Sequence, residues 1–305
     1  MVDAGAGDDV IVGTVGAAVG DLLNGGSGTD TFTMATNLSV GDTIIGGLGT
    51  DTVTITDDNA TTDLNGISGV EVLTVAMTGT SSYTTIDTLV ASGSTLTINQ
   101  SGNFALTFNG VAELDGNFTI TAAGTAAHVI VGGSGADTIT VSATAANITG
   151  GVGSDTILGG AGADTFNFAT THSGVVTTTA TTLAAAGIDT VTVAGLDIFA
   201  FGVTPGAITG SGAATAVAVG TAGTSTTGAT LTTAIAAAIT EVANTSFFLA
   251  ITDSGTGNTF TGTYLVTTYD TTFSANDILI KLTGTNVSAD DTIAINAATL
   301  VYTIV

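Results

Sequence analysis

The sequence predicts an all-β chain: a parallel β-roll or β-solenoid followed by a small β-rich C-terminal cap with one helix. Three observations predict it. A nine-residue phrase, Gly-Gly-x-Gly-x-Asp-x-apolar-x, recurs in register. Thr, Val and Ile dominate between the phrases, and β-branched residues favour strands. Hydrophobic residues make up 44% of the chain and charged residues only 9%, enough apolar material for a core and too little charge for a disordered tail. At 305 residues the chain has room for one long domain or two.

Full copies of the phrase begin at Gly25, Gly46, Gly132, Gly150 and Gly159; a further copy, AGAGDDVIV, begins at Ala4 with alanine in the first glycine slot. The glycines are Gly5 and Gly7; Gly25, Gly26 and Gly28; Gly46, Gly47 and Gly49; Gly132, Gly133 and Gly135; Gly150, Gly151 and Gly153; and Gly159, Gly160 and Gly162. The aspartates are Asp9, Asp30, Asp51, Asp137, Asp155 and Asp164. Glycine permits positive φ, so GGxGx reads as a turn that brings its carbonyls close together. The x-apolar-x part reads as a short strand whose central side chain enters a core. Such turns stack into a parallel roll, and each aspartate closes its turn with the carboxylate facing the neighbouring loop. Two carboxylates and several carbonyls between stacked loops form a shell of roughly six or seven oxygens, which suits a hard cation. The alternative is a set of Gly-Asp turns that hold no ion.

Spacing assigns partners. Asp137 and Asp155 stand 18 residues apart, one coil of two nonapeptides, and are expected to share an ion. The intervening VSATAANIT keeps the length without glycines or aspartate, so Asp164, on the opposite side beside Ala146, is expected to bind weakly or not at all. In the first block Asp9, Asp30 and Asp51 are each 21 residues apart, as are Asp21 and Asp42 in the glycine-poor phrases GAAVGDLLN and NLSVGDTII. One coil there is a 9-residue half plus a 12-residue half. The glycine-rich loops at 4–9, 25–30 and 46–51 then stack on one side, with ions expected between Asp9 and Asp30 and between Asp30 and Asp51. Asp21 and Asp42 are expected to sit in ordinary turns.

The phrase resembles the RTX (hemolysin-type) nonapeptide of calcium-dependent proteins secreted by bacteria. That resemblance implies that the cation is Ca²⁺, held by the aspartates and loop glycines named above. From Ile55 to Val131 the phrase stops, but LTINQSGNFALTFNGVAELDGNFTITAAGTAAHVIV alternates apolar and polar residues between turn signals. NGISGVEVLTV carries Glu71 about one coil after Asp51. This stretch reads as the same solenoid without calcium. ISGVEVLTV followed by Thr/Ser/Gly-rich ladders is similar to the C-terminal part of Gram-negative S-layer proteins, which tile the cell surface.

After Phe168 the register breaks. GADTFNF and then GIDTVTVAGLDIFAFG resemble the segment that ends many RTX rolls. In TLTTAIAAAITEVAN (230–244), Leu231, Ile235, Ile239 and Val242 fall at helical spacing. FFLAITD, GTYLVTTYD, NDILIKLTG and DTIAINAATLVYTIV read as antiparallel strands or turns. TYLVTTYDTTFSANDILIKLTG looks like the C-terminal cap of RTX S-layer and adhesin proteins, whose C-terminus is read by a type I secretion system. The opening MVDAGAGDDV drops straight into the repeat without a basic or apolar leader, so Met1 is expected to mark a truncation.

Composition excludes several functions. Asp and Glu total 25 against a single Lys281 and no arginine, giving a formal charge of −24. A phosphate backbone or an anionic membrane surface finds no basic partner here. No apolar run is long enough to span a membrane. There is no cysteine, hence no disulfide and no thiolate metal site. His128, in the strand-like HVIV, and His172, in a loop, have no second histidine at metal spacing. No HExxH helix, no GxSxG elbow and no glutamate dyad occurs, and the periodic aspartates belong to turns, so no enzyme is expected.

The organisation expected is a calcium-binding block at 1–54, a calcium-poor solenoid at 55–131, a second calcium-binding block at 132–168, and at 169–305 the cap with its secretion region. The resemblance implies a secreted structural S-layer protein at the extracellular cell surface. Its expected partners are other copies of itself in a lattice, the type I secretion machinery and, through a region preceding Met1, a cell-surface polysaccharide. An RTX adhesin or biofilm-matrix protein, or the noncatalytic secretion and folding module of a larger secreted protein, are the alternatives.

Overall fold

A computed structural model of the chain describes residues 1–13, 20–35, 38–57, 63–142, 145–160, 162–168, 189–192, 198–201, 216–219, 245–253, 261–268, 278–283, 293–296 and 301–304. The helix expected at 230–244, and His172, lie outside the described residues. The chain divides into two units, Met1–Gly151 and Val152–Val305.

The first unit is a parallel β-solenoid. Its strands are β1 (Val2–Ala6), β2 (Val10–Val12), β3 (Leu22–Ser27), β4 (Thr31–Ala35), β5 (Thr43–Leu48), β6 (Thr52–Asp57), β7 (Ile67–Ser68), β8 (Val72–Met77), β9 (Ser81–Thr84), β10 (Thr95–Ser101), β11 (Leu106–Asn109), β12 (Asn117–Ala122), β13 (Val129–Val131), β14 (Thr138–Val141) and β15 (Asn147–Thr149). They form parallel sheets in the orders β1-β3-β5-β7, β2-β4-β6-β8-β10-β12-β14 and β9-β11-β13-β15. A short 3₁₀ turn, Asp63–Gly66, precedes β7.

Alternation of side chains on a strand explains why this sequence stacks. On the long sheet one inward row runs Ile11, Phe32, Val53, Leu73, Ile98, Ile120, Ile139 in strict register. Facing it are Leu23, Ile44 and Ile67 on one sheet and Tyr83, Phe108, Ile130 and Ile148 on the other. All of these side chains are buried. Phe108 meets Phe118 edge-on, with ring centroids 5.2 Å apart. The alternate row on the long sheet includes Thr54, Thr74, Asn99, Thr121 and Thr140, β-branched for the most part and half-buried or exposed. A one-residue slip would exchange the two rows, so burial itself fixes the register. A polar interruption at Gln100 is accommodated because its Nε2–H donates to the Ser101 and Gly102 carbonyls and its Oε1 accepts from the Ala123 N–H.

The second unit has β16 (Thr156–Leu158), β17 (Thr165–Phe168), β18 (Asp189–Thr192), β19 (Ile198–Phe201), β20 (Ala216–Val219), β21 (Thr245–Asp253), β22 (Gly262–Thr268), β23 (Ile278–Thr283), β24 (Ile293–Asn296) and β25 (Val301–Ile304). Parallel pairs β16–β18 and β17–β19 continue the roll-like pattern. Antiparallel pairs β21–β22, β22–β23, β19–β25 and β24–β25 are then joined to it, alongside the parallel pairs β18–β23 and β20–β21. The strands read from FFLAITD, GTYLVTTYD and NDILIKLTG form this antiparallel set.

Phe118 is wholly buried in the inward row whereas Leu114 is 61% exposed. Phe118→Ala is expected to cost about 3–5 kcal/mol, and Leu114→Ala within about 0.5 kcal/mol. Denaturant unfolding in saturating calcium measures both.

Candidate metal centre

The first three repeat loops stack in one column. Gly5, Gly7, Gly26, Gly28, Gly47 and Gly49 all have φ between 99° and 141°, a range side chains rarely adopt. Gly26 and Gly28 lie so close over the carbonyls of Gly5 and Gly7, and Gly47 and Gly49 over those of Gly26 and Gly28, that a Cβ would overlap them. At Gly26, Gly28, Gly47 and Gly49 glycine is therefore required twice, for conformation and for contact, and the carbonyl oxygens of successive loops crowd together.

The aspartates tie this column together. The Asp9 N–H donates to Asp30 Oδ1 at 2.9 Å, and the Asp30 N–H to Asp51 Oδ1 at 2.8 Å. The Asp51 N–H donates in the same way to Glu71 Oε2 at 2.8 Å. Asp30 and Asp51 are fully buried, and the Oδ2 atoms of Asp9, Asp30 and Asp51 are buried without a hydrogen-bond donor. Burial raises the Asp51 carboxyl above its ordinary range, the Asp30 N–H opposes this, and the negative charges of Asp30 and Asp51's other neighbour, Glu71, add to the rise. A carboxylate oxygen buried without a donor is costly unless a cation meets it. The donor set is all oxygen, carboxylate and carbonyl, which fits Ca²⁺.

Asp21 and Asp42 behave differently. The Asp21 N–H donates to Asp42 Oδ1 at 2.7 Å, while Asp42 Oδ2 accepts the Ser39 N–H at 2.7 Å. Both Asp42 oxygens are thus satisfied by backbone, as in an ordinary turn.

In the later coils the same slot is filled by other residues. Register places Leu96 and Phe118 where Glu71 and Asp137 stand in neighbouring coils. The Phe118 N–H donates to Asp137 Oδ1 at 2.7 Å, and the Gly133 N–H to Asp137 Oδ2 at 2.8 Å. Gly133 and Gly135 do not take the positive φ of the first loops. On the side of the preceding coil this loop packs on residues 110–116, with its Ser134 N–H donating to the Glu113 carbonyl, and on the other side it meets the GGxGx turn at Gly150 and Gly151. The Asp137 carboxyl is pushed up to about 6, first by burial, with the Glu113 charge adding to the rise and the two N–H donors opposing it. In the second unit the Asp155 N–H donates to Asp189 Oδ1 at 2.8 Å, and Asp155, Asp164 and Asp189 are all buried. Gly151 in the first unit, and Gly153 and Gly160 in the second, again have positive φ.

Sequence reasoning did not single out three of these residues. Glu71 was seen near the right spacing but not as a member of the ladder. Asp189 lies 34 residues after Asp155; its signal is the Asp-Thr dipeptide shared by Asp30, Asp51, Asp137, Asp155 and Asp164. His128 takes a carboxylate's role on the opposite side, accepting the Leu106 N–H at Nδ1 at 3.1 Å. Asp87, Glu113 and Asp115 also converge, with oxygens within 4.8 Å of one another. Backbone donors hold two of them, Leu114 N–H on Asp87 and Val90 and Gly116 N–H on Glu113, so they serve as turn closures in the coils that lack GGxGxD.

Stacked parallel coils with crowded carbonyls and buried carboxylates define a calcium-binding β-roll. The family model of the RTX calcium-binding nonapeptide repeat, in four copies, matches residues 129–145 and 142–169. Residues 129–169 carry RTX nonapeptide repeats, and RTX nonapeptide repeats bind calcium ions. No curated protein and no solved structure matches the chain.

His128 is fully buried, and that burial holds its imidazole below the usual 6.5, against the opposing pull of the Ala123 carbonyl. The unfolded ring then binds its proton more tightly than the folded one. Its contribution to stability is complete above pH 6.5 and is lost as pH falls through the lowered folded value. Asn can accept the Leu106 N–H without titrating. The melting temperature of the wild type, relative to His128→Asn, is expected to fall between about pH 7.5 and about pH 5.

Proposed function

We propose that the protein is a secreted structural protein of a bacterial surface layer, loaded with calcium outside the cell, where its coils stiffen and copies associate into a lattice. RTX repeat proteins are calcium-binding and typically secreted. Among the described residues no helix is long and apolar enough to cross a membrane.

The observation that carries the proposal is the carboxylate column of the first block. Asp9, Asp30 and Asp51 each keep one buried oxygen without a donor, and the stacked loops supply carbonyls beside them. An ion between the loops of Asp9 and Asp30, and another between those of Asp30 and Asp51, would satisfy them. The coils that follow extend the same long sheet on apolar rows, which suits a load-bearing rod better than a catalytic scaffold. A net charge of −24 keeps copies apart until calcium neutralises part of it.

Chelated protein is expected to lose much of its strand signal in circular dichroism and to regain it in millimolar Ca²⁺. Light scattering and electron microscopy across the same titration are expected to show ordered polymers. A spectrum unchanged by chelator overturns the calcium step; a folded protein that stays monomeric in excess calcium favours the secretion-module reading over the lattice.

A further inference from the structure

Beyond the repeat, we infer that Glu71 completes a calcium site with Asp51 and the Gly69 carbonyl, so that the ion column continues one step past the last GGxGxD loop of the first block. The inference rests on the reading that the loops at 4–9, 25–30 and 46–51 hold calcium, and it names a ligand outside the nonapeptide.

The loops of the first block share a cradle that can be compared position by position. A Cβ placed on Gly25 would run into two oxygens, Oδ2 of its own Asp30 and the carbonyl of Gly46 in the next coil. A Cβ on Gly132 would likewise meet Asp137 Oδ2 and the Gly150 carbonyl. On Gly46 the same two oxygens appear: Asp51 Oδ2 and, from the next coil, the carbonyl of Gly69. Gly69 belongs to ISGVE, which is not a repeat, yet its positive φ of 59° turns the chain so that its carbonyl occupies the place of a repeat glycine's.

Glu71 then stands where the next aspartate of the ladder would stand. Its Oε2 accepts the Asp51 N–H at 2.8 Å, as Asp30 and Asp51 accept from the coils before them. Its own N–H and that of Val72 return to the Asp51 carbonyl. Glutamate is one methylene longer than aspartate, and the loop is shorter: Asp51 to Glu71 is 20 residues where the earlier steps are 21. The longer side chain makes up the missing reach. Asp51 Oδ2 is the decisive atom. It is buried, it has no hydrogen-bond donor, and negative charge lies on both sides of it, at Asp30 and at Glu71. One cation in this cradle would meet Asp51 Oδ2, the Gly69 carbonyl and the Glu71 carboxylate together, an all-oxygen set suited to Ca²⁺.

The test counts calcium ions bound to the full chain by native mass spectrometry and calorimetric titration. Glu71→Gln keeps an oxygen for the Asp51 N–H but removes the charge; it is expected to bind one ion fewer than the wild type. Glu71→Asp restores the residue type of the ladder and is expected to keep the wild-type count. An unchanged count and affinity in Glu71→Gln, with Asp30→Ala losing ions, overturns this site alone. Asp30→Ala without loss overturns the loop reading and this site with it. A second measurement needs no Gln variant. The chain has three glutamates, Glu71, Glu113 and Glu241, so δ-carboxyl ¹³C labelling of glutamate gives a sparse spectrum. Calcium is expected to shift the resonance that is absent from Glu71→Asp; if that resonance does not move, the proposal fails.

Discussion

One hydrogen bond organises this roll: a side-chain acceptor at the start of a strand takes the backbone N–H of the residue one coil earlier. Asp30, Asp51 and Glu71 do so in the first block, Asp137 before the unit's end, Asp189 in the second unit, and His128 on the opposite side. The N–H concerned lies at a turn, where no strand ladder can reach it, and a buried unpaired N–H is not tolerated. A side chain aimed back along the stack solves this and fixes the register of both coils at once. A hydrogen bond to a charged group contributes roughly 1.5–3 kcal/mol net.

That same device creates the need for a cation. Strand spacing puts successive carboxylates about 4.8 Å apart. At an effective dielectric of about 20, like charges at that distance repel by about 3.5 kcal/mol. The repulsion is as large as the hydrogen bond that each rung supplies. A column of charged rungs is therefore near balance on its own, and whether it holds is decided by what lies between the carboxylates. In the coils of Leu96 and Phe118 the difficulty is avoided: the slot is apolar, and Glu113 lies outside it, accepting the Gly116 N–H of its own turn and the Val90 N–H of the coil before. Burying a large apolar side chain contributes roughly 1.5–3 kcal/mol without any like-charge penalty.

The strands and the repeat loops were legible in the sequence because each depends on residue type at fixed spacing. Alternation marked the rows of Phe32, Val53, Leu73, Ile98 and Ile120, and GGxGxD marked loops whose glycines are needed for both φ and contact. The ladder was only half legible, because its requirement is an acceptor within reach and not an aspartate. Glu71 meets it across a shorter coil, His128 with a ring nitrogen, and Asp189 after an insertion that breaks the period. The loop of Asp137 shows the converse. Its sequence is a full copy of the phrase, but its neighbour at 110–116 is not, and it folds without positive φ at Gly133 or Gly135. A repeat's conformation is set by the coil it stacks on as much as by its own residues.

From this follows a division of labour along the first unit. The apolar rows run through every coil, so the coils without a carboxylate ladder can stack whether or not a cation is present. One carboxylate column runs from Asp9 through Glu71, and Asp137 is a further buried carboxylate in the coil after Phe118; in these coils stacking brings like charges together. In the charged coils the carboxylates repel one another until a cation meets them. The neutral coils of Leu96 and Phe118 supply a template of paired strand edges against which the charged coils can order once the ion arrives. Carboxylate-free coils among the charged ones keep part of the stack on apolar burial alone, where no like charges meet.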